Sequence, residues 1–241
     1  MGMAESGPLR EASRFVEFLL SRPVAAKVAK VLVFGSVAKG RATADSDVDI
    51  LIVTLNGDAV AEQIDDALLD FHGQSAAPLE VVTCALSEIL PATDYFVLNV
   101  LRNGKEIYSM PQDEIKRAAA RDLAALAREY LEASEEATER GRHRLAADGG
   151  YNAAELAAKG LILLKVDDLP GSHGGIVQLF GSLYVQSGEV DRELGRQLNT
   201  ALRLRNLARY RYDAIVSRQD VEAVLRLAKQ LLARLESQLG P

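Results

Sequence analysis

Two apolar runs, Val31-Leu32-Val33-Phe34 and Val48-Asp49-Ile50-Leu51-Ile52-Val53, bracket a short polar stretch, and this pairing constrains the chain more than any other feature. Short apolar runs bounded by turn residues predict buried strands. The connecting stretch opens with Gly35-Ser36-Val37-Ala38-Lys39-Gly40 and closes with Ser46-Asp47-Val48-Asp49. Alternate residues of a strand share a face, so Asp47 and Asp49 project together near the start of the second strand. Neighbouring carboxylates repel unless a cation lies between them. All-oxygen ligands of this kind suit Mg2+, which is commonly held by few carboxylates together with substrate phosphates. The Gly35-Ser36 turn adds backbone N–H groups and a hydroxyl where a phosphate can lie.

The string from Gly35 to Asp49 resembles the signature of the DNA polymerase beta-type nucleotidyltransferase superfamily. Its minimal branch reads Gly-Ser-x-Ala-Arg-Gly, five residues, then Ser-Asp-x-Asp, and Ala38, Gly40, Ser46, Asp47 and Asp49 all fall in place. Lys39 stands where that branch has Arg, which keeps the charge and loses the planar fork. The resemblance implies in-line attack on the α-phosphate of ATP or another NTP, with Mg2+ or Mn2+ stabilising the entering and leaving oxygens. It also implies a third carboxylate from a neighbouring strand. Glu80, in the predicted strand Leu79 to Thr83, alternates away from Leu79 and Val81 and is the candidate. It is Glu where many members have Asp. Asp47, Asp49 and Glu80 are therefore the expected catalytic and metal-binding set, with Glu80 also the choice for general base. Gly35, Ser36, Lys39, Gly40, Arg41 and Ser46 form the expected phosphate-binding set, Ser46 mainly by bracing the turn. An ordinary polar position on a half-exposed strand also accounts for Glu80, and solvated loop cations also account for Lys39 and Arg41.

Around this motif the periodicity predicts a helix over residues 8–21, a turn at Asn56-Gly57-Asp58 and a following helix to about Asp70. Lys105 to Tyr108 reads as an edge strand. After Met110-Pro111-Gln112 the pattern becomes helical throughout. Gly149-Gly150 is read as the end of the first long helix and Asn152 as the cap of the next. Further helices are expected near 176–186, 190–212 and 219–239, the last behind a Ser217/Asp220 capping box. The expected fold is an α/β (α+β) nucleotidyltransferase domain with a small mixed sheet over 1–110, followed by an all-α HEPN helical bundle over 113–241.

The second half resembles HEPN domains, the bundles fused to or encoded beside minimal nucleotidyltransferases. Tyr151 to Leu163, Ser172 to Ile176, Tyr184 to Gly188 and Leu204 to Asp213 carry that resemblance in order. Many HEPN domains are ribonucleases with an Arg followed by a His. Arg205 matches the Arg, but Tyr210 occupies the His position and no His follows His173. Tyr, with a reference pKa near 10, moves protons poorly at neutral pH. In paired toxin–antitoxin systems the pattern ends His-x-Tyr, and that Tyr is adenylylated by the partner transferase. Tyr212 lies at this position, where a buried helical Tyr is the plainer expectation. Arg205, Tyr210, Tyr212 and His173 thus make up the expected HEPN site.

A formal net charge of −6 argues against general nucleic-acid binding, so RNA is a disfavoured partner. The single cysteine, Cys84, excludes an internal disulfide and fits a reducing cytoplasm. No apolar run is long enough to span a bilayer. The expected partners are an NTP and a small-molecule or protein acceptor, with a homodimer expected by analogy. The leading expectation is transfer of a nucleoside monophosphate, most simply AMP, to a hydroxyl. The rivals are a nucleotide-binding regulatory module of toxin–antitoxin type and an RNA-cleaving HEPN protein.

Overall fold

A computed structural model describes residues 7–43, 46–55, 58–75, 77–90, 92 and 94–240. The expected turn at Asn56-Gly57 and Asp45, ahead of the acidic motif, lie outside the described residues. The chain divides into two compact units, Met1–Ile115 and Lys116–Pro241.

The first unit is built on a four-stranded mixed sheet in the order β3-β2-β1-β4, with β1 Val28–Val33, β2 Val48–Thr54, β3 Leu79–Ala85 and β4 Lys105–Ser109. β1 pairs antiparallel with β2 and with β4, and β2 pairs parallel with β3. A parallel pair needs a crossover, which here contains the helix α3, Asp58–His72. β2 is central and buried along its length except at Asp49, as its uninterrupted apolar run requires. Helix α1, Gly7–Leu20, and α3 cover one face, where Phe15, Leu19, Ile50, Ile52, Ile64 and Phe71 form a core. Each such side chain contributes about 1.5–3 kcal/mol when fully buried. Because side chains alternate, Asp49 projects to the opposite face.

Among the described residues this unit also has a 3-10 turn at Pro23–Lys27 and three further α-helices. α2 is the short turn Gly35–Ala38, α4 spans Leu86–Ile89 and α5 spans Tyr95–Asn103. The apolar segment from Tyr95 becomes helical because Asp94 caps it, accepting a hydrogen bond from the Val97 N–H at 3.0 Å.

α6, Gln112–Glu139, begins in the last residues of the first unit and continues into the second, which also holds α7 His143–Leu163, α8 His173–Phe180 continued by a π-turn to Val185, α9 Arg192–Tyr210 and α10 Arg218–Leu239. α7 is the central helix. Its buried face runs through Ala147, Tyr151, Ala154, Ala158, Leu161 and Ile162.

Two sequence expectations need correction here. Gly149-Gly150 does not end a helix, and Asn152 does not cap one, since all three lie inside α7. A Cβ at Gly149 would collide with the Ser134 hydroxyl, and one at Gly150 would press on Val224 at 3.1 Å and Leu225 at 3.2 Å. These glycines permit close helix packing, and the real break falls at Gly141, with φ +68°. The expected helix to residue 212 stops at Tyr210. Arg144 explains the stop. Its guanidinium donates to the carbonyls of Ala208 at 3.0 Å, Arg211 at 2.6 Å, Tyr212 at 3.3 Å and Ala214 at 3.0 Å, satisfying them without another helical turn. The Ser217/Asp220 capping box is present at the start of α10.

Candidate active site

The in-register pairing of β2 with β3 sets Asp49 directly beside Glu80. Register partners on parallel strands point to the same face, so these carboxylates stand side by side where β2 and β3 begin. Asp47 immediately precedes β2 and is exposed, as is Glu80. The carboxyl group of Asp49 is held above its ordinary range, first by partial burial, then by the negative charges of Glu80 and Asp47. All three expected acidic residues thus meet in one electrostatic environment.

Gly35 explains how Asp49 fits. Its φ is +66°, and a Cβ there would be driven into the Asp49 carboxylate. The strand edge is closed beside it by the Phe34 N–H, which donates to the Asp49 carbonyl at 2.9 Å. Ser36 follows in α2, and its carbonyl accepts from the Arg41 N–H at 2.9 Å, so the loop folds back on itself. Ser46 braces this loop. Its hydroxyl accepts from the Thr43 N–H at 2.9 Å, and its own N–H donates to the Thr43 carbonyl at 3.2 Å. Gly40 also has a positive φ, +65°, while Lys39 and Arg41 extend into solvent.

Among the described residues, no group of three His, Cys, Asp or Glu side chains is gathered closely enough to hold a metal ion unaided. The site offers instead an open set of acidic oxygens whose mutual repulsion already perturbs Asp49. That donor set fits a hard cation completing its shell with phosphate oxygens. Cys84, further along β3, plays no part in it: burial and Glu88 push its thiol up to about 11, so it is inert near neutral pH.

The raised Asp49 pKa has a consequence for stability. A carboxyl group whose folded pKa exceeds its unfolded value favours the folded state at low pH, and that contribution disappears as pH rises through the folded value. Once ionised, Asp49 therefore works against the fold. Asp49→Asn is expected to melt about 2 °C above the wild type at neutral pH. The gap should close on acidification toward about pH 4. A scanning-calorimetry series across pH tests this, and a variant that melts lower at neutral pH would contradict it.

The nucleotidyltransferase domain family matches residues 9–126, and the HEPN domain family matches residues 120–238. The chain joins a nucleotidyltransferase domain to a HEPN domain. Over 117 residues it is 28% identical to a candidate toxin of Methanocaldococcus jannaschii, covering 48% of this chain and 86% of that protein. It is similar to the solved structure of TT1696 from Thermus thermophilus, with 25% identity, 49% of this chain and 97% of that one covered, and a TM-score of 0.43. It is also similar to the spectinomycin adenyltransferase of Enterococcus faecialis, solved with ATP and spectinomycin, at 13% identity over 94% of this chain and 98% of that one, with a TM-score of 0.30.

In the HEPN domain Tyr212 parts from the other expected residues. The Arg205 side chain is only 7% exposed, and its Nε lies 3.2 Å from Asp148 Oδ1, an ion pair without hydrogen-bond alignment. Its guanidinium also sits 5.7 Å from the Tyr210 ring. Arg205 is thus committed within the bundle. Arg209 reaches the same Asp148 at 3.7 Å. Tyr212, expected as a buried helical residue, is instead 96% exposed in the loop after α9. The Arg144 clamp that ends α9 places it there.

His173 opens α8 behind the Ser172 cap, and its Nδ1 lies 2.8 and 2.9 Å from the two oxygens of the buried Glu155 carboxylate. The Tyr151 ring meets His173 edge-on at 5.8 Å. Burial and Glu155 hold the Tyr151 phenol well above its ordinary pKa. Sequence reading missed Asp148, Tyr151 and Glu155 as members of this cluster. A signal was available: the three residues recur at helical spacing on α7, leaving a polar stripe on an Ala- and Leu-rich face.

Proposed function

We propose that the protein is a Mg2+-dependent nucleotidyltransferase that moves AMP from ATP to a hydroxyl. The observation that carries this is the side-by-side setting of Asp49 and Glu80, with Asp47 in the same field and Gly35 shaped to admit the Asp49 carboxylate. Asp47, Asp49 and Glu80 would hold the cation, which supplies positive charge against the triphosphate when bound. Backbone N–H groups near Gly35, together with the Ser36 hydroxyl, would orient the phosphates, and Lys39 and Arg41 would neutralise them. Glu80, exposed beside Asp49, would accept the proton of the attacking hydroxyl. The acceptor oxygen bonds to the α-phosphorus, the bond from that phosphorus to its bridging oxygen breaks, and pyrophosphate leaves.

The acceptor reading with most support is Tyr212. Its side chain is 96% exposed, and Arg144 fixes the backbone that carries it. Incubation with Mg2+ and α-labelled ATP, followed by intact mass and peptide mapping, tests the assignment. The expected result is one AMP adduct on wild type, absent from Tyr212→Phe and retained by Tyr210→Phe. An adduct that persists in Tyr212→Phe would move the acceptor elsewhere. Label recovered only in a small-molecule fraction would favour a soluble acceptor. The rival reading, a nucleotide-binding regulatory module of toxin–antitoxin type, predicts saturable ATP binding without pyrophosphate. RNA cleavage has little support, with Arg205 buried against Asp148 and Tyr210 in the His position.

A further inference from the structure

A groove of about 550 Å³ runs along α9 and α10, on the side of α9 away from the buried Arg205. Its volume falls within the range of small-ligand sites, about 300–1,000 Å³. The floor is apolar. Val224 and Leu227 belong to the bundle core, Leu204 is half-buried, and Leu207 remains 43% exposed.

The rim carries charge of both signs, and its acids and Arg196 are answered within the protein. Glu193 pairs with Arg196 at 3.5 Å. Asp220 is held by the Ser217 hydroxyl at 2.6 Å and the Ser217 N–H at 3.0 Å. Arg203 donates to the Thr200 hydroxyl at 3.1 Å, and neither Arg203 nor Arg226 meets a carboxylate among the described residues. Two uncompensated guanidinium groups therefore border an apolar floor, in a chain whose net charge is −6. A guanidinium stays charged at any physiological pH and presents a planar fork to a carboxylate or phosphate. A ligand that satisfies both features has an apolar body and an anionic head.

We propose that this groove binds a small amphipathic anion, its body against Leu204, Leu207, Val224 and Leu227 and its head between Arg203 and Arg226. The site is independent of nucleotidyl transfer and rests on no residue assigned to that reaction.

The test uses the full chain and the fluorescent anion 8-anilinonaphthalene-1-sulfonate, displaced by laurate or by dodecyl phosphate. Dodecyltrimethylammonium serves as the cationic counterpart. The expected result is one saturable site from which both anions displace the probe and the cation does not. Whichever anion is stronger identifies the preferred head. Arg203→Gln/Arg226→Gln is expected to weaken binding about 10-fold or more, the scale of hydrogen bonds to charged groups. Leu207→Gln should weaken it as well. Both arginines are exposed, so the double variant should keep its melting temperature, which is measured in parallel. The proposal is overturned by the absence of a saturable site, by equal displacement with the cation, or by undiminished binding to a folded double variant.

Discussion

Asn in place of Asp47 or Asp49 is expected to lower kcat/KM for nucleotidyl transfer about 1,000-fold, which corresponds to roughly 4 kcal/mol of transition-state stabilisation. Charge is the reason. Asn keeps the shape of Asp but removes a negative oxygen from the acidic set, and that set is what would hold a divalent cation against the triphosphate. The loss should fall mainly on kcat, because the charge matters most as the phosphoryl centre transfers. The fold should survive. Asp47 is exposed, and removing the ionised Asp49 relieves its repulsion with Glu80 and Asp47. A kinetic comparison with melting curves on the same preparations checks this. Retention of more than about a tenth of wild-type kcat/KM by a folded Asp49→Asn variant would show that the carboxylates do not carry the reaction.

Gly35→Ala is the second large effect. The backbone at Gly35 has φ +66°, a conformation that costs L-residues about 1–2 kcal/mol. The added methyl would also be driven into the Asp49 carboxylate. Strain and collision act together, so the variant should lose about 5 °C in Tm and about 100-fold or more in kcat/KM. Gly40→Ala separates the two causes. Its φ is +65°, yet a Cβ there meets nothing within 4 Å among the described residues. It should lose stability through the backbone and lose less activity than Gly35→Ala. Equal activity losses in the two variants would mean that contact with Asp49 is not what makes Gly35 necessary.

Much of the first unit was legible in the sequence because its signals are local. Short apolar runs mark the strands, and alternation places Asp49 and Glu80 on faces away from Ile50 and Leu79. The parallel register that sets Asp49 beside Glu80 depends on the crossover through α3, and no local pattern specifies it. The helical unit was harder to read. Gly149-Gly150 looked like a stop because glycine usually ends helices, whereas here small residues let α7 approach Ser134, Val224 and Leu225. The end of α9 depends on Arg144, distant in sequence from the carbonyls it holds. The pairings of Asp148 with Arg205 and of Glu155 with His173 likewise join residues of different helices. Such contacts follow from packing, and periodicity marks only one side of each.

Nucleotidyl transfer on these carboxylates is tested most directly by pyrophosphate release from ATP and the other NTPs, with and without Mg2+, by wild type and Asp49→Asn. The expected result is Mg2+-dependent release by the wild type, greatest with ATP, and its loss in the variant. Release from none of the NTPs, or release that survives Asp49→Asn unchanged, would contradict a transferase built on these carboxylates.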